Sequence, residues 1–432
     1  MEVEVISNEN IKPSSPTDHD LKTFKLSSLD QYRPSEYIPI ILFYNPDPTD
    51  TNNDSISDHL KKSLSNTLTR FYPIAGRIKD NTTWVDCTDE GVEYIETRIN
   101  GKVSDFTWTS ELLHQLVPVH TNLATVVPAV IQVNFFDGGG IAITVCISHK
   151  IGDTSTYATF INSWAATARG VPAASPTFVS QTLFPISAPA TSDTDNDQRG
   201  FHRLDDEENE DLVTKRLVFD GEKVSALRER IGDTLTTLKY PTRVEAVSAL
   251  LWKSAMEAGV VTSPPAAKDQ KPEPVSEMYI VVNVRKKMDP PLSDSSFGNI
   301  FSMATAKATI TSGGVDLDDL VGRIWVAISG VDRDHIKRMQ NDEDCEEDDE
   351  GYEYNDYWLM SWCNFSLYEI DFGFGKPDWV TTDAVEVLDE NDIYLMDTKA
   401  GKGVEAWIKL KQEKMDMFLS NQELLEFATV FD

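Results

Sequence analysis

A long polar stretch near the middle of the chain sets the strongest limit on its architecture. Residues 187–211 read SAPATSDTDNDQRGFHRLDDEENED, which is rich in Pro, Ser, Thr and acidic residues and offers almost nothing to a hydrophobic core. Such a composition is typical of a linker. The chain has 432 residues, and a single core rarely grows beyond about 250–300 residues. We therefore predict two domains, residues 1–186 and residues 212–432, joined by a crossover linker at residues 187–211.

The charge of the chain limits its partners. Asp and Glu total 71 against 39 Lys and Arg, which gives a formal net charge of −32. Nucleic-acid phosphates and anionic membrane surfaces repel so acidic a chain, so we expect neither as a partner. We expect neutral or cationic substrates, or an anionic one held by a local basic pocket. The acidic run at residues 342–356 is predicted to be a solvated surface loop, with an electrostatic collar for a cationic substrate as the alternative.

Cysteines and apolar runs indicate the compartment. The four cysteines, Cys87, Cys146, Cys345 and Cys363, form no C-x-x-C pair, which argues against a disulfide scaffold or zinc module and for a reducing compartment. The N-terminal MEVEVISNENIKPSS lacks the basic and apolar regions of a signal peptide. No apolar run reaches the length of about 18 residues that a membrane span needs. We predict a soluble cytoplasmic protein, and we expect a monomer because nothing in the sequence indicates an oligomer.

Helix and strand patterns alternate along the chain. Apolar residues recur at helical spacing from Leu60 to Phe71. Thr242 and Glu245 form a capping box before the helical pattern VEAVSALLWKSAMEAG. Two β-rich runs joined by the turn sequence DGGG predict a hairpin within residues 130–147. This mixture predicts an α/β fold with mixed sheets flanked by helices.

The segment ITVCISHKIGDTSTYATFINSWAA predicts a strand, a tight turn and a helix in succession. The strand ends near Ser148, so His149 lies at its mouth, Gly152 permits the turn, and Asp153 or Thr154 caps the helix. A histidine held at such a junction suits general-base catalysis because its pKa near neutrality lets it take a proton from a hydroxyl. The alternative is an ordinary histidine satisfied by its surroundings. Ser148 should point to the opposite side of the strand, so we do not expect a Ser–His dyad.

Several common catalytic signatures are absent from the sequence. It contains no G-x-S-x-G elbow, no H-E-x-x-H motif, no Walker A loop and no Cys/His metal cluster. The fragment Gly373-Phe374-Gly375 lacks the third glycine of a dinucleotide fingerprint. These absences disfavour elbow hydrolases, zinc proteases, P-loop nucleotidases and classical dehydrogenases. We predict no metal site and no bound cofactor.

Two motifs, SHKIGD and the downstream DFGFGKP, together resemble the BAHD family of plant acyl-CoA-dependent acyltransferases. That family carries a His-x-x-x-Asp motif and an Asp-Phe-Gly-Trp-Gly motif in this order, and the separation of more than 200 residues between His149 and Asp371 matches. The resemblance covers essentially the whole chain. Further family-like stretches are LSSLDQYRPSEYIPIILFY, LKKSLSNTLTRFYPIAGRI, TRVEAVSALLWKSAME, VVNVRKKMDPPLSDSSFGNIF, SWCNFSLYEIDFGFGKP and ELLEFA.

The sequence is most similar to the vinorine synthase-like branch, whose members acylate alcohols of alkaloids and related specialised metabolites. It departs from the family pattern at three positions. Ser148 stands where many members have a second histidine, and Thr154 where many have glycine. Phe374 replaces the usual tryptophan, which keeps an aromatic ring and removes an N–H donor. We expect activity to survive, because the second motif is thought to act structurally.

The resemblance implies a fold and a mechanism. Members have two similarly folded, chloramphenicol-acetyltransferase-like domains with a channel at their interface, which acyl-CoA and the alcohol enter from opposite faces. His149 would deprotonate the acceptor hydroxyl as it attacks the thioester carbonyl. Asp153 would pair with Arg285 and fix the His149 loop.

The second motif is assigned by the same resemblance. Asp371 is grouped with His149 and Asp153 as a catalytic motif residue, although a structural role is favoured for it. Gly373 and Gly375 would allow the sharp loop that Asp371 anchors.

Substrate-binding residues follow from the resemblance and from sequence neighbourhood. Lys253, Lys286 and Lys287 are candidates for binding the CoA phosphates, with a solvated surface lysine as the alternative for each. Trp362 and Phe427 are predicted to line the acyl and acceptor pocket. The partners would be an acyl-CoA donor and a small-molecule alcohol.

The C-terminal part bears on the choice of donor. No arginine occurs after Arg338, whereas malonyl-transferring relatives use a cation, usually arginine, to hold the donor carboxylate. We therefore expect acetyl-CoA as co-substrate and an alkaloid alcohol as acceptor. The alternatives are malonyl or aromatic acyl donors, terpenoid, phenolic or amine acceptors, thioester hydrolysis, and a catalytically silent relative that binds a small molecule or partner.

Overall fold

A computed structural model describes residues 1–31, 33–46, 52–79, 83–118, 126–186, 211–233, 240–262, 275–310, 314–341, 356–383 and 388–431. The predicted linker therefore lies outside the described residues except for Asp211, and the acidic run except for Asp356. None of the helices in these ranges is both long and apolar enough to cross a bilayer.

The strands are β1 (Val3–Ile11), β2 (Thr23–Lys25), β3 (Tyr37–Tyr44), β4 (Arg77–Lys79), β5 (Trp84–Asp86), β6 (Val92–Ile99), β7 (Ala129–Phe136), β8 (Ile141–Ser148), β9 (Leu212–Phe219), β10 (Val275–Asn283), β11 (Phe301–Thr309), β12 (Asp356–Ser361), β13 (Trp379–Thr381), β14 (Asp392–Asp397), β15 (Val404–Lys411) and β16 (Thr429–Phe431). The helices are α1 (Ser28–Gln31), α2 (Asn53–Leu68), α3 (Ser110–His114), α4 (Thr154–Ala168), α5 (Ser180–Leu183), α6 (Gly221–Gly232), α7 (Arg243–Thr262), α8 (Leu317–Gly330), α9 (Arg333–Gln340), α10 (Gln412–Leu419) and α11 (Gln422–Phe427).

Two large mixed sheets organise the described residues. The N-terminal sheet has the order β1-β6-β7-β8-β3-β13, and the C-terminal sheet has the order β11-β10-β12-β14-β15-β9-β16. A small third sheet has the order β2-β5-β4. Both large sheets contain parallel and antiparallel pairs, such as β6 with β7 and β7 with β8. This arrangement confirms the predicted α/β class with mixed sheets.

Helices pack against one another in each half of the chain. In the N-terminal half, α2 packs against α4, and the indole N–H of Trp164 donates to Leu60 O at 3.1 Å. In the C-terminal half, α7 packs against α6, α8 and α10, and its Trp252 is fully buried. The described residues bury two large apolar clusters, and the cluster at the N-terminal sheet also contains Met360, Trp362 and Tyr394 of the C-terminal half.

The local patterns identified in the sequence form as predicted. The Thr242 backbone N–H donates to Glu245 Oε2 at 2.7 Å, and the Glu245 N–H donates to Thr242 Oγ1 at 3.2 Å, which is the capping box. The hairpin of β7 and β8 turns at Gly138 and Gly139, with φ of +84° and +97°. Phe71, in contrast, lies just beyond α2 and not within it.

One strand crosses between the predicted domains. β13 comes from the C-terminal half, yet it pairs antiparallel with β3 in the N-terminal sheet, with Val380 opposite Leu42. The Trp379 ring stacks on Phe43 at 5.2 Å between centroids. A strand of the second predicted domain thus joins the sheet of the first, because β3 has a backbone edge that β13 completes.

Candidate active site

His149 directly follows β8 and is held by its backbone. Its N–H donates to Glu36 O at 2.9 Å, and its carbonyl accepts from Asn299 Nδ2 at 2.8 Å. Asn299 is fully buried and belongs to the C-terminal half, where it also donates to Asp30 of the N-terminal half at 2.9 Å. The histidine backbone is thus fixed by groups from both halves of the chain.

The turn after His149 places Asp153 at the N-cap of α4. The Asp153 Oδ1 accepts the backbone N–H of Thr156 at 3.0 Å, so Asp153 and not Thr154 is the cap. Gly152 is required here by close packing, because an added Cβ would lie 2.6 Å from the Thr156 Cγ2. The turn therefore depends on the small size of Gly152.

Arg285 binds Asp153 from the C-terminal half. Its two terminal nitrogens contact the two carboxylate oxygens at 2.6 Å and 2.9 Å, and the Ile300 N–H donates to the same carboxylate at 3.0 Å. Arg285 is fully buried, and its remaining donors reach the carbonyls of Ser296 and Gly298. A buried ion pair with all of its donors engaged is a rigid support for the neighbouring loop.

A cavity of about 120 Å³ opens beside His149. This volume is about ten times the space that one water molecule needs. Both halves of the chain form its walls. The lining residues are Pro34, Glu36, Tyr37, Ile38, His149, Asp153, Thr154, Ser155, Val281, Asn283, Phe301, Met360, Ser361, Trp362, Phe365, Asp389, Asp392 and Tyr394. A side chain in such a cleft can meet substrates from either half.

The surroundings of His149 keep its imidazole neutral. Burial lowers the pKa of His149 to about 4, and the positive charge of Arg33 lowers this pKa as well. The Arg33 guanidinium lies 4.6 Å from the centre of the Phe301 ring, which itself lies 6.0 Å from the imidazole centroid. A neutral imidazole at pH 7 has a nitrogen that can accept a proton.

Acidic groups line another part of the cavity. Glu36, Asp389 and Asp392 face it, together with the aromatic residues Trp362 and Tyr394. Burial raises the pKa of the Asp392 carboxyl well above its usual range, and the charge of Asp389 acts in the same direction. Sequence reasoning missed these three acids. The segment LDENDIYL shows only that acids precede a strand.

The DFGFG loop lies away from this cavity. The Asp371 Oδ1 accepts the backbone N–H groups of Gly373 at 2.7 Å and of Gly375 at 3.0 Å, and both glycines have positive φ. Phe374 packs edge-on against Tyr44 at 5.1 Å. The Asp371 carboxylate closes the loop and none of the residues 371–375 lines the cavity, which supports the structural role favoured for Asp371 over its grouping with the catalytic residues.

The three candidate lysines do not line the cavity either. Lys253 pairs with Glu423 at 2.7 Å, and exposed Lys286 pairs with Asp294 at 3.0 Å. The Lys287 ammonium donates to the carbonyls of Ile328 and Val331, and burial lowers its pKa. The donors of Lys253 and Lys287 thus bind groups of the C-terminal half, and the role of the three lysines in binding the CoA phosphates stays a prediction.

Of the two residues predicted to line the acyl and acceptor pocket, one lines the cavity and the other lies in the core. Trp362 lines the cavity, whereas Phe427 is 3% exposed in the core of the C-terminal half, with the Arg230 guanidinium 5.6 Å from its ring centre. Phe427 therefore does not line this cavity, and its place in the acyl and acceptor pocket stays a prediction.

Comparisons with known proteins give a consistent result. A model of the transferase family matches residues 1–425. The chain is 39% identical to (13S,14R)-1,13-dihydroxy-N-methylcanadine 13-O-acetyltransferase AT1 of Papaver somniferum, over 96% of each chain. It is 35% identical to a limonoid 1-O-acetyltransferase of Citrus sinensis, over 100% of this chain and 99% of the relative. The crystal structure of vinorine synthase superposes with a TM-score of 0.82 at 33% identity, over 99% of this chain and 98% of that one.

Proposed function

The chain belongs to the BAHD acyltransferases, and we propose that it transfers an acetyl group from acetyl-CoA to a hydroxyl of a plant alkaloid, with His149 as general base. It is an O-acetyltransferase of plant specialised metabolism with the chloramphenicol-acetyltransferase-like fold. The observation that carries the role of His149 is its place on a cavity walled by both halves, on a loop fixed by Asp153 and Arg285.

The reaction needs one proton acceptor. We assign the proton transfer to Nε2 of His149, because Nδ1 is buried. Nε2 takes the hydroxyl proton as the acceptor oxygen attacks the thioester carbonyl and a C–O bond forms. The tetrahedral intermediate then breaks its C–S bond, and the imidazolium returns the proton to the CoA thiolate. Ester and CoA leave, and the imidazole is neutral again. Base catalysis of this kind contributes about 10²–10⁴-fold.

The charge of the cavity supports acetyl over malonyl. Among the described lining residues there is no lysine or arginine, while Glu36, Asp389 and Asp392 are acidic. The free carboxylate of a malonyl group would meet repulsion there and no cation to hold it. Acetyl-CoA, whose acyl group is neutral, fits these walls as the co-substrate.

The acceptor class rests on the relatives and on the same charge. The Papaver relative is named for a canadine alkaloid, which supports an alkaloid alcohol. The limonoid relative makes a terpenoid alcohol the second candidate. We favour the alkaloid because protonated amines are attracted to an acidic cleft. A monomer in the cytoplasm remains our prediction.

Product detection by mass spectrometry tests the proposal. Acetyl-CoA and malonyl-CoA are supplied together with a pool of alkaloid, terpenoid and phenolic alcohols. Wild type and His149→Ala are assayed side by side. We expect an acetylated alkaloid from the wild type and none from the variant. A malonylated product, CoA release that no alcohol accelerates, or equal products from both proteins would contradict the proposal. Equal ligand binding by both proteins without any turnover would indicate a silent binding protein.

A further inference from the structure

The cavity beside His149 is lined by several acidic groups. Asp153 lies on the wall but is bound by Arg285. Glu36, Asp389 and Asp392 lie on the same wall, and no lysine or arginine of the described residues does. A cleft lined by one sign of charge attracts the opposite sign from solution. The cavity is therefore suited to a cation.

Of these acids, Asp392 is the best placed to bind a cation in the cavity. It begins β14 and is only 7% exposed, so the strand holds its side chain in place. Among the described residues its carboxylate accepts one hydrogen bond, from the Asp389 N–H to Oδ2 at 2.9 Å, and it makes no ion pair. Oδ1 therefore remains for a donor that enters the cavity. Burial disfavours the charged form of this carboxylate and raises its pKa, while the positive charge of Lys409 acts in the opposite direction.

Aromatic rings lie beside this carboxylate. Tyr394 is two residues along β14, so it is on the same face of the strand as Asp392. Its ring meets Trp362 edge to face, with centroids 5.4 Å apart. Both rings line the cavity. Aromatic faces next to a carboxylate match a protonated alkylamine, whose N–H pairs with the carboxylate and whose alkyl groups contact the rings.

We propose that Asp392 forms an anionic subsite that binds the protonated amine of an amino-alcohol acceptor, with Trp362 and Tyr394 against its alkyl groups. This subsite rests on the proposed acetyl transfer at His149 and specifies its acceptor. An amine held as an ammonium ion has no lone pair for attack on the thioester. The subsite thus also directs the acetyl group to oxygen and away from nitrogen.

Direct binding measurements test the subsite. The probes are quinuclidinol, a bicyclic amino alcohol that is protonated at neutral pH, and its carbocyclic analogue with CH in place of nitrogen. Calorimetry gives the dissociation constants for both probes with wild type, Asp392→Asn and Asp316→Asn. The asparagine at 392 keeps the side-chain shape and an oxygen for the Asp389 N–H. Asp316 is an exposed helix cap without a side-chain hydrogen bond, so its variant removes one charge away from the cavity.

We expect the wild type and Asp316→Asn to bind the amine about ten- to a hundredfold tighter than the carbocycle, as an ion pair with a hydrogen bond predicts. In Asp392→Asn this ratio should fall close to one, with an unchanged constant for the carbocycle and an unchanged melting temperature. A wild-type ratio near one, or a ratio that survives in Asp392→Asn, overturns the subsite.

A transfer assay separates this outcome from failure of the proposed function. If the wild type acetylates neutral alcohols and shows no preference for the amine, the proposed acetyl transfer stands and the subsite is disproved. If the wild type acetylates no acceptor, and its preference for binding the amine disappears in Asp392→Asn, the subsite stands and the proposed function is disproved.

Discussion

Arg285 binds both carboxylate oxygens of Asp153, at 2.6 Å and 2.9 Å, and so joins a loop of the C-terminal half to the helix cap behind His149. The pair is buried, and Asp153 also accepts the N–H groups of Thr156 and Ile300. The carboxylate is therefore occupied on every side by structural partners. This geometry supports a structural role for Asp153 and agrees with the proposal that His149 is the base.

Replacing Asp153 by Asn should lower stability more than it changes the chemistry. The variant leaves the fully buried Arg285 without its anion, and breaking such a pair costs about 3–5 kcal/mol. Urea unfolding at neutral pH measures the loss of free energy. The pH at which kcat is half-maximal should stay where it is in the wild type. A shifted pH profile with unchanged unfolding would instead place Asp153 in the proton path.

Replacing His149 by Ala should remove catalysis and leave the fold intact. The loss of a general base predicts a fall in kcat of about 10²–10⁴-fold. His19→Ala is the matched control, because the His19 side chain is fully exposed on the surface. We expect equal melting temperatures for wild type and both variants, and unchanged turnover for His19→Ala. Turnover by His149→Ala close to that of wild type would refute the base assignment.

Replacing Arg33 by Met should move the acid limb of the pH profile. Burial and the Arg33 charge together lower the pKa of His149 to about 4, so removing the charge raises this pKa. The imidazole must be neutral to accept a proton, so activity is lost as the pH falls through its pKa. The acid limb of kcat/KM should therefore lie at higher pH in Arg33→Met than in wild type.

The conservative variant Arg33→Lys serves as the control for this shift, because it keeps a positive charge near the imidazole. We expect its acid limb to stay close to that of wild type, over the pH range in which circular dichroism shows both proteins folded. Identical acid limbs for Arg33→Met and wild type would show that Arg33 does not influence His149.

Replacing Asp371 by Ala should destabilise the DFGFG loop and leave kcat nearly unchanged. The Asp371 carboxylate holds the N–H groups of Gly373 and Gly375 and is partly exposed, so we expect a loss of about 1–2 kcal/mol. Thermal unfolding gives this loss, and steady-state assays should show kcat within about twofold of wild type. Asp371→Asn, which keeps one acceptor oxygen, should lose less stability than Asp371→Ala. A large fall in kcat with normal unfolding would make Asp371 catalytic.

Local sequence predicted the part of the site that a short segment builds. The strand, turn and cap around His149 lie within a few residues of each other, and their signals are local. The Asp153–Arg285 pair spans 132 positions. It was reached only through the family resemblance, because no periodicity links residues so far apart.

Tertiary packing explains what the sequence did not show. Glu36 and Asp392 meet at one cavity because β14 and the segment before β3 come together, and neither residue has a local signal for this. Phe427 lies in the core and does not line this cavity, which the sequence does not show because an apolar residue near a C-terminus suits a core and a pocket equally well. β13 was missed because a strand of only 3 residues is too short to show alternation.

The pairing of β13 with β3 also has a consequence for how substrates arrive. The halves share backbone hydrogen bonds through this strand and share the Arg285–Asp153 ion pair. Hinge opening that parted them would break both sets of contacts at once. We therefore expect the halves to stay joined while the proposed substrates enter the cavity beside His149.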